Sequence, residues 1–189
     1  MAIDIKFLPS YTVLAVRYAV AANEDIFHSV EHASSCRDLL NFFKSSNMAK
    51  SAHPQLHGLA MLNRNWNHPK EEAIICDECV ILPTEPIDLN TCKSMVASLN
   101  STFPTYLTST PAGTYAVFRH KGPYDLLPAM FRQIFSTLLP TSGVHYAGGP
   151  VLELYVNDHE TTPEDDKEID VCVPVTFGPG AGMASVPLS

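Results

Sequence analysis

The sequence predicts an α+β fold in which two related β-α-β-β halves share one antiparallel sheet. Two observations lead there. Strand-length apolar segments and amphipathic helical segments follow one another in the order strand, helix, strand, strand, and this order occurs twice. A short motif also repeats, since Asp77-Glu78-Cys79-Val80 in the first half resembles Asp170-Val171-Cys172-Val173 in the second.

The first predicted strand is Thr12 to Ala21, dense in Val, Tyr and Ala. Asn23 is a good helix cap, and Ile26, Val30, Ala33, Leu40 and Phe43 then recur at helical spacing to about Ser45. Gly58 to Asn63 and Ala73 to Leu82 read as two more strands, with a turn at Asn67-His68-Pro69. A connector follows, in which Leu89, Cys92, Val96 and Leu99 fit one face of a short helix. The pattern then restarts. Thr114 to His120 is a strand, Gly122-Pro123 a turn, and a helix begins near Asp125 with Leu127, Phe131, Ile134, Phe135 and Leu138 on its apolar side. Pro128 fits the first helical turn, and Pro140 is expected to stop the helix. Val151 to Val156 and Ile169 to Val175 are the last strands, joined by the acidic loop Asp158 to Glu168.

One domain over residues 1–189 is therefore expected, with a first half at 1–83, a connector at 84–110, a second half at 111–177 and a flexible tail at 178–189. A two-fold repeat of this kind predicts helices on one sheet face and a ligand groove on the other, where the halves meet.

Bulk composition excludes several classes of function. Apolar residues make up 46% and charged residues 17%, which suits a packed globule. The net charge is −8 and the 12 basic residues are scattered, so direct nucleic-acid binding is not expected. There is no signal-peptide pattern at the N-terminus and no apolar run of membrane-spanning length. Five cysteines without framework spacing read as reduced thiols in the cytoplasm.

Alternation along Val151 to Asn157 places Leu152, Leu154 and Val156 on one face and Glu153, Tyr155 and Asn157 on the other. The leucine face is expected to meet the helices, leaving Glu153 and Tyr155 in the groove. The repeat assigns Asn63 and Asn65 to the matching places of the first half. It also pairs Tyr18 with His120 near the ends of equivalent strands, and Trp66 and Tyr146 fall in loops beside the groove. A carboxylate among aromatic side chains suits a flat lipophilic cation, through charge pairing and cation–π attraction. Alternation alone fits a solvated edge glutamate equally well.

The segments Pro111 to Tyr124 (PAGTYAVFRHKGPY), Gly149 to Asp158 (GPVLELYVND) and Ile169 to Val175 (IDVCVPV) resemble the GyrI-like family. The first half fits more loosely, through Leu8-Pro9 and Asp77 to Val80. That family includes effector-binding domains of AraC-type and multidrug-sensing transcription regulators, stand-alone proteins described as gyrase inhibitors, and hydrolases of cyclopropane-bearing toxins. The resemblance implies that Glu153 sits in the pocket with Tyr155 beside it, pairing with cationic ligands or doing acid–base work. Three functions stay open on this reading. The first is an effector-binding protein for a small apolar cation, without cofactor. The second is a hydrolase of strained rings in which Glu153 exchanges protons with help from Tyr155. The third is a protein partner of gyrase. No helix-turn-helix is recognised ahead of the first strand, so promoter regulation would need a separate DNA-binding partner.

Other motifs carry less. His28 and His32 fit an H-x-x-E-H pattern but lack a third ligand, so no metal is expected. Cys76 and Cys79, three apart in a strand, point to opposite faces and cannot share a metal or a disulfide. Gly178 to Gly182 lacks a following helix to form a phosphate loop, and Glu164-Asp165-Asp166 reads as a solvated loop.

Overall fold

Among the described residues, nine strands pair into an antiparallel sheet because β-branched and aromatic residues crowd segments bounded by Pro, Gly and polar turns. The architecture comes from a computed structural model, which describes residues 3–20, 58–63, 74–82, 104–158 and 161–178, with the isolated helical positions Ser94 and Ala97. The strands are β1 (Asp4–Leu8), β2 (Thr12–Val20), β3 (Gly58–Asn63), β4 (Ile74–Ile81), β5 (Thr105–Ser109), β6 (Gly113–Lys121), β7 (Val144–Tyr146), β8 (Val151–Tyr155) and β9 (Glu168–Phe177).

Their spatial order is β1-β6-β9-β8-β3-β4-β2-β5, with β7 added alongside β9. This order is a palindrome when β1, β6, β9 and β8 are exchanged for β5, β2, β4 and β3. Arg17 stands opposite Asp77 in one half, as Arg119 stands opposite Asp170 in the other, and both pairs are ion pairs. The halves join where β3 meets β8, so the sheet runs unbroken across the junction.

Three strands escape the sequence pattern. β1 and β5 are the two ends of the sheet, and their polar content (Asp4 and Lys6; Thr105, Thr108 and Ser109) weakens any hydrophobic alternation. β7 is only three residues long.

A single helical run covers the second half. It opens with a 3-10 turn (Tyr124–Leu126), continues as α1 (Leu127–Gln133), widens into a π-turn (Ile134–Leu138) and closes with α2 (Leu139–Thr141). Pro140 therefore does not stop the helix before it, as the sequence implied; the run continues to Thr141. A proline ring collides with the carbonyl four residues back and offers no N–H to it, and the wider π-turn just ahead relieves both problems. The helix expected from Asn23 to Ser45 and the turn at 67–69 lie outside the described residues. Among the described residues, no helix is long and apolar enough to cross a membrane.

The sheet carries a core on each face. On one, Leu127, Met130, Phe131 and Ile134 pack with Tyr18, Leu62, Cys76, Phe118, Val151, Tyr155 and Val171. On the other, Leu59, Met61, Cys79, Tyr115, Leu152, Leu154 and Cys172 form a second cluster. This reverses the face assignment made from the sequence. Glu153 and Tyr155 share the face covered by the helical run, and Leu152 and Leu154 lie on the other. The alternation itself holds, but every residue of β8 is buried, so an apolar side no longer marks where the helices sit.

Candidate functional site

The centre of the helix-covered face is set by strand register. Read across the strands, one row runs Phe118, Val171, Glu153, Ala60, Glu78, Val16. Two carboxylates interrupt an otherwise apolar row, separated by the methyl group of Ala60. Glu153 is 1% exposed and Glu78 is 3% exposed. A carboxylate buried to this degree carries a large desolvation cost, which an apolar side chain of similar size would avoid.

Ala60 is also the structural counterpart of Glu153. Leu59 stands opposite Cys79 in the first half as Leu152 stands opposite Cys172 in the second, so the next residues, Ala60 and Glu153, correspond. They face each other across the β3–β8 junction. The sequence assignment of Asn63 to the place of Glu153 is thereby corrected. Asn63 lies on the opposite face, where its Nδ2 donates to Asp77 Oδ2 at 3.2 Å. Asn65, assigned to the place of Tyr155, lies outside the described residues.

Two tyrosines flank the row from opposite sides. Tyr18, buried, lies one row away beside Cys76, and its hydroxyl donates to Glu78 Oε1 at 3.2 Å. Tyr155, also buried, lies one row away on the other side, against Gly58 and Ile169. Its ring packs at 6.3 Å and 46° on that of Tyr124, over which the Lys167 ammonium sits at 4.8 Å. Gly58 is glycine for a steric reason: a Cβ there would lie 3.0 Å from Tyr155 Cδ2. The Cys76 thiol donates to Glu78 Oε1 at 3.7 Å. Burial above all pushes its titration well up, the charge of Glu78 adds to this, and that of Glu153 contributes further.

His120 is on the same face, in the row of Tyr155 and Ile169, and is buried. Its Nε2 lies 3.2 Å from the Gly122 carbonyl and 3.0 Å from that of Pro123, which holds the turn into the helical run. Tyr146 is half-buried on β7, edge-on to Phe135 at 5.8 Å, and its hydroxyl donates to the Gly149 carbonyl. It stands opposite Val175, four residues along β9 from Val171 and so about 13 Å from the carboxylate row. Trp66 lies outside the described residues.

Register puts Glu153, Tyr155, Tyr18 and His120 on one face, with Glu153 central and Tyr18 and His120 far apart on either side of it; it adds Glu78 to that face, puts Asn63 on the other, and leaves Tyr146 on β7, off the strands that carry the row. Glu78 had a signal in the sequence: adjacent acids within a strand, Asp77 and Glu78, must point to opposite faces. Asp77 faces away from the helical run. It is 1% exposed and accepts from Arg17 Nε at 2.7 Å, Arg17 Nη2 at 2.8 Å and Tyr106 Oη at 2.6 Å. Among the described residues, no three His, Cys, Asp or Glu side chains converge as a metal site, and His28 and His32 fall outside them.

The profile of the GyrI-like small molecule binding domain matches residues 1–176. The chain belongs to the GyrI-like family. Solved structures agree on the fold. An uncharacterized conserved protein from Listeria innocua superposes with a TM-score of 0.63 at 12% identity, over 92% of each chain. The C-terminal domain of EcmrR gives 0.61 at 16% identity, over 94% of this chain and 98% of that one. SAV2435, in a structure bound to tetraphenylphosphonium, gives 0.59 at 11% identity, over 93% and 94%. No curated protein matches the chain. As a GyrI-like domain, it has the architecture of a small-molecule-binding module.

Proposed function

We propose that this GyrI-like protein binds a lipophilic organic cation on the helix-covered face of its sheet. Glu153 is the charged anchor, and Tyr18 and Tyr155 are the apolar walls. The observation that carries this reading is the burial of Glu153 at the junction of the halves, in a row whose neighbours are Val171 and Ala60. A cation seated there recovers by charge pairing what the carboxylate loses by leaving water, and the flanking rings add dispersion and cation–π attraction. A neutral ligand of the same shape gains only the apolar part. The tetraphenylphosphonium bound to SAV2435 is a ligand of this chemical class, which supports the reading. Both carboxylates are shut off from solvent, so entry requires the elements over this face to part.

The test is thermal melting of the wild type and Glu153→Gln with tetraphenylphosphonium and with neutral triphenylphosphine oxide. Ligand at a hundred times its dissociation constant is expected to stabilise the wild type by about 2.7 kcal/mol. The variant is expected to need at least about tenfold more cation for the same shift. Equal shifts in the two proteins, or an equal response to the neutral compound, would sink the proposal.

A further inference from the structure

We infer that the β1 end of the sheet is a homodimer interface. A second copy of this chain adds its own β1 antiparallel, about a two-fold axis through Ile5, and the sheet continues from one protomer into the other. β1 is one end of the strand order, and among the described residues no strand pairs with its outer side. This edge lies away from Glu153, since β6 and β9 stand between β1 and β8.

Register fixes which backbone groups of β1 face outward. Pro174 stands opposite Tyr115, has no N–H, and turns its carbonyl away from β6 to accept from the Ala147 N–H at 2.9 Å. Further along the same two strands, the Gly122 N–H donates to the Lys167 carbonyl at 2.9 Å. Both observations place the even-numbered residues of β6 in its hydrogen-bonded pairs with β9. Odd-numbered Tyr115 and Val117 therefore turn their backbone groups to β1. Their partners there, Lys6 and Asp4, are satisfied within the chain. The N–H and C=O groups of Ile5 and Phe7 then point out from the edge.

This edge is complementary to itself. A two-fold axis through Ile5 pairs Ile5 with the second copy's Ile5, Phe7 with its Ile3, and Asp4 with its Lys6. The outward-facing residues then form the hydrogen-bonded pairs. Asp4 and Lys6, both exposed, fall in the non-hydrogen-bonded pairs, where side chains come closest and opposite charges attract. An axis through Asp4 or Lys6 would use the same backbone groups but set like charges face to face, which leaves Ile5. On the helix-covered face Ile3 and Ile5 pack against the core, while Phe7 is 72% exposed and finds cover on the second copy's Ile3. β1 balances one acid with one base although the chain carries a net charge of −8, so two copies meet there without net repulsion between their edges. The other end of the sheet, β5, has no charged residue to set such a register, and it is half-buried from Thr105 to Thr108.

Sedimentation equilibrium of the wild type, Asp4→Lys, Lys6→Asp and a one-to-one mixture of the two variants tests the interface. A short edge makes a small interface, and the wild type is expected to be half dimeric by about 100 μM. Each single variant sets like charges opposite each other twice per dimer, and is expected to weaken association at least about tenfold. In the mixture, the two lysines of one chain face the two aspartates of the other, so a mixed dimer is expected to form about as tightly as the wild type. Both positions are exposed, so the substitutions leave the protomer's core intact. A wild type that stays monomeric at about 100 μM, or single variants that associate as the wild type does, overturns the inference. So does a mixture that associates no more tightly than either variant alone, because a dimer formed elsewhere on the molecule would not reward that pairing of charges.

Discussion

Gly58→Ala probes how tightly the Tyr155 wall is held. Gly58 stands opposite Tyr155 in the β3–β8 pair, and its φ is not in the left-handed region, so alanine meets no backbone penalty there. The obstacle is the ring: a Cβ at Gly58 falls 3.0 Å from Tyr155 Cδ2, with Cε2 at 3.7 Å and Cγ at 3.8 Å. The ring must give by several tenths of an ångström, but it is buried and backed by Tyr124. Overpacking of this kind costs about 1–3 kcal/mol, and the entropy that alanine removes from the unfolded chain returns about 0.4–1 kcal/mol. The net expectation is a loss of about 1–2 kcal/mol, or about 3–6 °C in Tm for a chain of this length. Urea unfolding and thermal melting of Gly58→Ala, Tyr155→Leu and the double variant measure it. The shorter leucine accepts the new methyl, so the double variant is expected to be more stable than the two single losses add up to. If Gly58→Ala is as stable as the wild type, or if the two losses simply add, then the ring is not wedged against β3 and the steric account of Gly58 is wrong.

Two further predictions concern the other face. Burial above all, with the nearby Cys172, raises the Tyr115 phenol from 10.0 to about 12. The unfolded chain releases this proton first, so the stabilisation is whole below about pH 10 and is lost as pH rises towards 12. Urea unfolding at about pH 9 and about pH 11 should show a shallower decline in Tyr115→Phe than in the wild type, and an unchanged slope would refute the assignment. Tyr106→Phe removes a 2.6 Å hydrogen bond to the buried carboxylate of Asp77 and should cost about 1.5–3 kcal/mol. Asp170→Asn weakens the counterpart pair with Arg119, whose side chain is 48% exposed, and should cost less than about 1 kcal/mol. The opposite order in urea unfolding would show that burial does not set the worth of these two clusters.

The alternation of Val151 to Tyr155 was legible because a strand's period is two whatever surrounds it. Which face met the helices was not, because β8 is central and buried on both sides. Apolar side chains then report burial without saying what buries them. Asn63 shows the same limit from another direction. The repeat read from the sequence put Asn63 in the place of Glu153, whereas hydrogen-bonded register puts Ala60 opposite Glu153. A slip of even one residue moves a side chain to the other face.

By itself, then, the sequence determined the segments that become the inner strands and the presence of one acid in the middle of an apolar strand. These follow from local periodicity and composition, which need no partner strand. The pairing of β3 with β8, and with it the alignment of Glu153, Ala60 and Glu78 in one row, was decided only in the tertiary structure. Glu78 and Glu153 lie far apart along the chain, and no local pattern specifies which strands become neighbours. That choice comes from burying both faces of the central strands at once.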